Sequence, residues 1–444
     1  MTRLPEQAPT LEELFARADL NTTLPLILRA GVGPTLNGEY RHWDDVRRST
    51  PPEGLSREQW WLGIKWARSP LRRSIPLRAP SGTLFHYSLP DPVLELLSWI
   101  DQHAAGEILV SETVSDPGQR QRYLVNSLME ESITSSQLEG ASATRKVAKD
   151  MIRSGRQPRD KGERMILNNF RAMSSLRDSV DEPLAPDNLF ALHRVLTEGT
   201  LDDTTAAGRP QRPDEQRVHV EDSSGTIVHR PPPADQLEAR IRLMCDFANA
   251  EQADGFMHPV VKAILLHLWL AYDHPFEDGN GRTARALFYR EMLRRGFWLF
   301  EYISISRLLL RAPAKYGRSF LHTETDEFDA TYFLIFQLQV VKRAIQELHV
   351  YLQAKMAEMR ETLSLLRRTS LNHRQVALLT HALRHHDAEY TYRSHARSHN
   401  VVIQSARTDI LDLEGRGFLV RRVVGNRYYF YPAADLAASL RSAA

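Results

Sequence analysis

The stretch His274-Pro-Phe-Glu-Asp-Gly-Asn-Gly-Arg-Thr-Ala-Arg285 brings together the groups needed for chemistry on a phosphate. His274 is a base that can be neutral near physiological pH. Asp278 offers a hard oxygen of the kind Mg²⁺ takes in nucleotide sites. Gly279 and Gly281 let a ligand approach the backbone, and free N–H groups at the start of a following helix make an anion site. Arg282 and Arg285, three residues apart, add positive charge on one face.

Two helices must hold these groups. Val260, Val261, Ile264, Leu265, Leu268 and Trp269 recur at three- and four-residue steps, which predicts a helix ending near Tyr272, with Pro259 in its first turn. Asp278-Gly-Asn-Gly281 breaks that pattern. A second run, Arg282, Ala286, Leu287, Tyr289 and Met292, predicts another helix immediately after it. A histidine at a helix end, or a Gly-Asn-Gly turn, is by itself usually structural; the complete set within one loop is far more specific.

The stretch resembles the Fic family signature, His-Pro-Phe-x-Asp/Glu-Gly-Asn-Gly-Arg-x-x-Arg, with every fixed position filled. The resemblance implies AMP transfer from ATP to a Ser, Thr or Tyr hydroxyl of a protein, including this chain itself. It makes His274 the general base, Asp278 the Mg²⁺ ligand, Gly279, Asn280 and Gly281 the phosphate cradle, and Arg282 and Arg285 the phosphate-holding arginines. Phe276 would pin the loop into the core, and Tyr316 falls where the family often places an aromatic near the nucleotide. Upstream, Ser135-Ser-Gln-Leu-Glu139-Gly140 is similar to the inhibitory motif of Fic proteins whose inhibitory helix precedes the core, which makes Ser135, Glu139 and Gly140 its fixed positions. Val218, Val220, Ile227 and Val228 around Asp222-Ser-Ser-Gly225 read as a hairpin at the place of the Fic flap, a strand edge for a target segment. Where the family commonly has Gly-x-Phe/Trp-Arg, this chain reads Gly208-Arg-Pro-Gln-Arg212, leaving open whether Arg209 or Arg212 supports the site.

Composition sets the wider frame. The 444 residues, 42% hydrophobic and 25% charged, fit an ordinary globular protein of two or three domains. A net charge of +2 does not by itself mark a nucleic-acid binder. Cys245 is the only cysteine, which excludes an intrachain disulfide and fits a reducing cytoplasm. With no long apolar run and no targeting pattern, the expectation is a cytoplasmic protein without a membrane partner.

The expected fold is mainly α: a helical Fic core with a small β-hairpin flap, plus a C-terminal winged helix-turn-helix. Residues 1–115 form an N-terminal helical region and 116–345 the Fic domain, with the inhibitory helix at about 120–145. Residues 346–369 form a linking helix and 370–444 the last module. In the N-terminal region the reading is a helix near Leu11–Ala18, a Gly- and Pro-punctuated connector from Gly31 to Gly38, and a capped helix from Ser56 whose Trp60, Trp61 and Trp66 are core. Lys65, Arg68, Arg72, Arg73 and Arg78 read as a solvated basic face. One helix is expected over Leu308–Phe320 and one over Thr331 to about Leu366, packing on the core or forming a homodimer.

In the last module, helices at Gln375–His385, Thr391–Ser398 and Ile403–Glu414 precede a hairpin around Gly425-Asn426. In a winged helix-turn-helix the third helix presents Gln404, Ser405 and Arg407, with Arg421, Arg422 and Arg427 on the wing. DNA and a protein partner both remain open, because Asp409, Asp412 and Glu414 share that helix. Two further functional readings stand beside AMP transfer: AMP removal, with Glu139 activating water, and a DNA-binding regulator with a vestigial Fic core.

Overall fold

Local capping and apolar periodicity account for most helices of the computed structural model. It describes residues 4–105, 117–222, 224–250, 255–368, 370–385, 387–425 and 427–443. Asn426 of the terminal hairpin turn, Ser223 of the flap turn and the boundary at 115–116 lie outside the described residues. The chain forms two compact units, Met1–Leu348 and His349–Ala444.

The first unit opens with α1 (Leu11–Arg17), α2 (Leu20–Arg29), α3 (Trp43–Val46) and α4 (Arg57–Arg68). Reciprocal capping boxes, Thr10 with Glu13 and Ser56 with Gln59, start α1 and α4. Helix α2 has no counterpart in the sequence reading; despite Pro25 inside it, Leu26 and Ile27 pack on the Trp43, Trp60 and Trp61 core. Trp60 and Trp61 are buried as expected, whereas Trp66 is 39% exposed.

The basic run of this region is a solvated face only in part: Arg73 and Arg78 are exposed, Lys65 and Arg68 are not. Lys65 and Arg68 are buried; Lys65 Nζ lies 2.6 Å from Asp326, and Arg68 donates to Tyr332, Pro34 O and Arg41 O. Their carboxylate and carbonyl partners are distant in sequence, so spacing could not reveal them. Nor is the region wholly helical. β1 (Arg72–Arg78) and β2 (Leu84–Ser88) pair antiparallel, with Ile75 and Leu77 buried two residues apart and Arg73 and Arg78 outside.

α5 (Asp91–Ile100), α6 (Pro117–Leu138), α7 (Arg145–Ser154), α8 (Lys161–Leu176) and α9 (Pro186–Thr197) follow. Then come the short hairpin β3 (Val220–Glu221) and β4 (Ile227–His229), α10 (Leu237–Asn249), α11 (Pro259–Asp273) and α12 (Asn280–Arg294). α11 is apolar nearly all round because it runs through the centre of the core, with only Pro259 and Ala271 less than fully buried. The span expected as one helix from Leu308 is two, α13 (Ser306–Arg311) and α14 (Pro313–Thr325). Pro313 disfavours helical geometry at Ala312, which sits at φ −139°, ψ 52°, and Pro313 then opens the next helix. α15 (Thr331–Arg368) begins in this unit.

In the second unit α16 (His373–Arg384), α17 (Tyr392–His399) and α18 (Ile403–Gly415) precede β5 (Leu419–Val424), β6 (Arg427–Pro432) and a final helix α19 (Leu436–Ala443). Asn372 with Gln375 and Thr391 with Ser394 cap the first two helices. Leu378, Leu379, Ile410, Leu413, Phe418 and Phe430 close a separate core, onto which Leu436 and Leu440 of the unexpected α19 pack. Among the described residues no helix is long and apolar enough to cross a membrane.

Candidate active site

The loop between α11 and α12 is fixed from several sides. His274 ends α11 in the left-handed region, φ 46° and ψ 52°, with its N–H on Leu270 O at 2.9 Å. That conformation costs a residue with a Cβ about 1–2 kcal/mol, so surrounding structure must hold it. Arg217 Nη2 donates to Asp273 O at 2.6 Å, and Gln211 N donates to Pro275 O at 2.8 Å. The Asp273 carboxylate is tied in turn to Arg240 and to Trp269 Nε1.

Beyond His274, Phe276 is buried and stacks on His193, ring centroids 3.7 Å apart. Both arms of the Asn280 amide bond Phe276: Oδ1 accepts from its N–H at 2.9 Å and Nδ2 donates to its carbonyl at 2.8 Å. His193 accepts from Gly208 N on Nδ1 and therefore carries its proton on Nε2, which donates to Asp278 O at 2.8 Å. Gly279 is required twice over: φ is +84°, and a Cβ there would lie 2.8 Å from Thr197 Cγ2.

His274 is built to be a free base. Its Nδ1 faces the Ala271 carbonyl at 3.3 Å, an acceptor only, which places the proton on Nδ1 and leaves the Nε2 lone pair available. Burial brings its pKa down to about 4; the Ala271 bond and Glu139 oppose this, and His229 and Arg217 reinforce it. His229, at the end of β4, behaves oppositely. Its ring nitrogens face Tyr272 O at 2.7 Å and the Glu324 carboxylate at 2.9 Å, and although burial works against the charged form, the Glu324 bond outweighs it and raises the pKa.

The two arginines of the loop have different surroundings. Arg282 is fully buried, with Nη1 on Leu196 O at 2.9 Å and Nη2 3.3 Å from Asp278 Oδ1, so it braces the loop against the end of α9. Arg285 donates from Nε to Ser135 Oγ at 2.8 Å and from Nη2 to Ser135 O at 2.9 Å and Glu139 Oε1 at 2.8 Å. Glu139 lies one residue beyond the end of α6, and Gly140, φ +88°, provides the left-handed stop. A Cβ on Gly281 would stand 2.1 Å from Glu139 Oε1, so the carboxylate rests directly on the backbone of the first turn of α12. Tyr316 donates to or accepts from His267 Nε2 at 2.8 Å, and its hydroxyl, pushed up to about 12 by burial, feels both Arg285 and Glu139.

Helix α6 is anchored so that this contact is not incidental. The buried Glu131 accepts from Tyr289 Oη at 2.9 Å, Ser304 Oγ at 2.8 Å and Ser306 N at 3.1 Å, the last at the start of α13. Asn169 of α8 donates to Ser132 O at 3.3 Å.

With this geometry in hand, residues 183–292 match the model of the Fic/DOC family. This chain carries a domain of the Fic family. Over 69 residues it is 41% identical to the protein adenylyltransferase Fic of Nematostella vectensis and 39% identical to that of Drosophila willistoni. These matches span 16% of this chain and only 16% and 14% of those proteins. A Fic family protein from Desulfovibrio desulfuricans G20 superposes on 79% of this chain and 98% of its own, with TM-score 0.53 and 18% identity. For a variant of Fic-1 from C. elegans the shares are 78% and 90%, with TM-score 0.51 and 18% identity. At such identity the likeness is one of fold.

Within the matched residues, His274, Asp278, Gly279, Asn280, Gly281, Arg282 and Arg285 share one loop and helix start; outside them, Ser135, Glu139 and Tyr316 lie around Arg285, and Gly140 is the stop that follows Glu139. Neither arginine left open by the sequence supports the loop: Arg209 pairs with Glu215 at 2.6 Å, and Arg212 is exposed. Arg217 does so instead, with Nε on Pro232 O at 2.8 Å and Nη1 on Gln211 Oε1 at 2.5 Å, linking the flap base to the carbonyl before His274. His193, Gln211, Arg217, His229 and Glu131 carry no spacing signal; the departure at Gly208–Arg212 was the one hint that support comes from elsewhere.

Arg217→Met is therefore expected to shift the acid limb of kcat/KM upward. Burial still depresses His274, but one of the positive charges opposing its protonation is gone, so the base is lost at a higher pH as the solution is acidified. Loosening of the loop should also lower kcat, by up to about 10²-fold. A pH–rate profile, taken with Glu139 also replaced so that activity is measurable, checks this; an unmoved limb with normal kcat would remove Arg217 from the positioning of His274.

Proposed function

We propose that the protein is an autoinhibited protein adenylyltransferase, transferring AMP from ATP to a Ser, Thr or Tyr hydroxyl of a protein target or of itself. The observation that carries this is the free-base His274 at the mouth of a glycine loop whose helix start and Arg285 are both covered by the Glu139 carboxylate. Phosphates of ATP would take the place of that carboxylate at the N-terminus of α12. The target hydroxyl oxygen then attacks the α-phosphorus, its proton passes to His274 Nε2, and the bond to the β-phosphate oxygen breaks, releasing pyrophosphate. Positioning and charge neutralisation supply the remainder.

Asp278 fits a role as Mg²⁺ ligand. Its side chain is partly exposed beside the loop, and among the described residues no group of three His, Cys, Asp or Glu could hold a metal alone. That donor set suits an ion completed by phosphate oxygens and water, which Mg²⁺ prefers. When bound, Mg²⁺ neutralises phosphate charge. Asp278→Ala is expected to leave activity very low and insensitive to added Mg²⁺, with Asp278→Asn less damaging because one oxygen remains. Equal Mg²⁺ titration curves for wild type and the alanine variant would contradict the assignment.

The second unit we read as a winged helix-turn-helix, from α16, α17 and α18 followed by the β5–β6 hairpin. Labelled ATP tests the catalytic proposal. Label from α-labelled but not γ-labelled ATP should remain on protein after denaturation. No protein label with either, across Mg²⁺ concentrations and with Glu139 replaced, would refute AMP transfer.

A further inference from the structure

His229 is the last residue of β4, where the flap returns to the core, and only 9% of it is exposed. Its Nε2 lies 2.7 Å from Tyr272 O, and its Nδ1 lies 2.9 Å from Oε1 and 3.0 Å from Oε2 of Glu324. A main-chain carbonyl and an ionised carboxylate can only accept. A neutral imidazole has a single N–H to give, so the two contacts together require the doubly protonated ring.

Each partner leads to the catalytic loop by a different route. Tyr272 stands in the last turn of α11, two residues before His274, whose left-handed backbone has to be held from outside. Its ring also packs against that of His229, with centroids 4.8 Å apart. Glu324 belongs to α14, the helix that carries Tyr316 beside Arg285 and Glu139. The end of α14 is fixed by the N-terminal helices and their connector. Ala8 N donates to Thr325 O at 2.8 Å, His42 Nε2 meets Thr325 Oγ1 at 3.2 Å, and Lys65 Nζ donates to Asp326 at 2.6 Å. One ring thus joins the flap, the end of α11 and α14.

The other groups around the ring do not replace Glu324. Asp273 is engaged by Arg240 and Trp269, and burial raises the Tyr272 phenol, which stays neutral. Across the hairpin, His229 pairs with the uncharged Val220. His274 and Arg217 lie beyond Tyr272 and Asp273. Burial disfavours a charged His229, but the Glu324 bond and charge, the Tyr272 bond and Asp273 more than offset it. The charge of His229 in turn helps to keep His274 unprotonated.

We propose that His229 is a positioning residue for AMP transfer, a charged clasp that fixes the Tyr272 carbonyl, and through it His274, only while both of its ring nitrogens carry a proton. Loss of one proton leaves a lone pair facing an acceptor oxygen. The remaining proton stays with the carboxylate, the stronger acceptor, so the Tyr272 contact opens and the loop loosens. His274 then sets the acid limb of the pH–rate profile, and His229 sets an alkaline limb above the ordinary histidine range. This role rests on the AMP-transfer reading of the site, whereas the clasp itself can be read without turnover.

The test takes two measurements on the full chain. Histidine-selective isotope labelling and NMR give the His229 titration midpoint, its resonance being identified by its loss in His229→Gln or its displacement in Glu324→Gln. The midpoint should lie above the ordinary histidine value, and the His274 resonance should show a step at the same pH. The second measurement is the pH–rate profile with α-labelled ATP, with Glu139 also replaced so that activity is measurable. Glu324→Gln should lower the His229 midpoint and abolish the alkaline limb, because the amide can donate to the neutral ring and leave its N–H on Tyr272 O. His229→Gln, with one donor nitrogen for two acceptors, should lower kcat about tenfold and move the acid limb upward. Thermal unfolding shows that each variant is folded. A His229 ring that titrates at or below the ordinary value, or a His274 resonance that does not follow it, would overturn the proposal; so would an alkaline limb unchanged in Glu324→Gln. Absence of label in every variant, with both NMR steps as expected, would refute AMP transfer and leave the clasp standing.

Discussion

Replacing Glu139 by glycine is expected to raise AMP incorporation from α-labelled ATP at least about tenfold over wild type, a change that needs only about 1.4 kcal/mol in the balance between closed and productive states. The carboxylate does two things at once: it bonds Arg285 Nη2 at 2.8 Å, and it rests on Gly281 at the positive end of α12. A negative charge there competes with phosphate for the same donors. Its removal leaves Arg285 oriented, because Ser135 still holds Nε and Nη2. The site is thereby opened without being dismantled.

Glycine raises a second question, since in a helix interior it costs roughly 1 kcal/mol relative to alanine. Glu139 lies past the last residue of α6, so most of that penalty does not apply. Glu139→Gln, which keeps the shape and removes the charge, should recover much of the gain. Arg285→Ala added to Glu139→Gly should lose it. Activation unchanged from wild type at all ATP and Mg²⁺ concentrations would return Ser135–Gly140 to an ordinary helix end.

His274→Ala should cut AMP transfer in the Glu139→Gly background by about 10²- to 10⁴-fold, the usual cost of a lost general base. ATP binding should be largely retained, because the loop glycines and Arg285 are untouched. The backbone needs a control, since His274 sits at φ 46°, a conformation Asn adopts more readily than Ala. His274→Asn should therefore be as inactive as the alanine variant and more stable to heat. Near wild-type transfer by either variant would remove His274 from the mechanism. For the enzyme carrying His274, the acid limb of kcat/KM should lie near pH 4, well below the ordinary histidine value, because burial disfavours the imidazolium.

What the amino-acid sequence determined by itself is local. The glycines at 279 and 281, the two helix patterns flanking them, and the capping box at Ser56 each depend on residues a few positions apart, so spacing alone reveals them. The same holds for Gly140 as a stop and for the alternating strands of the terminal hairpin. Residues far apart in the chain were decided only by tertiary structure. Arg217 supports the His274 loop from 56 positions away, and Glu131 ties α6 to Ser306 across 175. Lys65 and Arg68 look like surface charge until Asp326 and Tyr332 meet them in the core, and Asp409 looks exposed until Arg374 and His395 enclose it. The reason is physical: a charged group stays buried only where partners are delivered to it, and which partner arrives depends on how whole helices pack, not on the periodicity of any one of them.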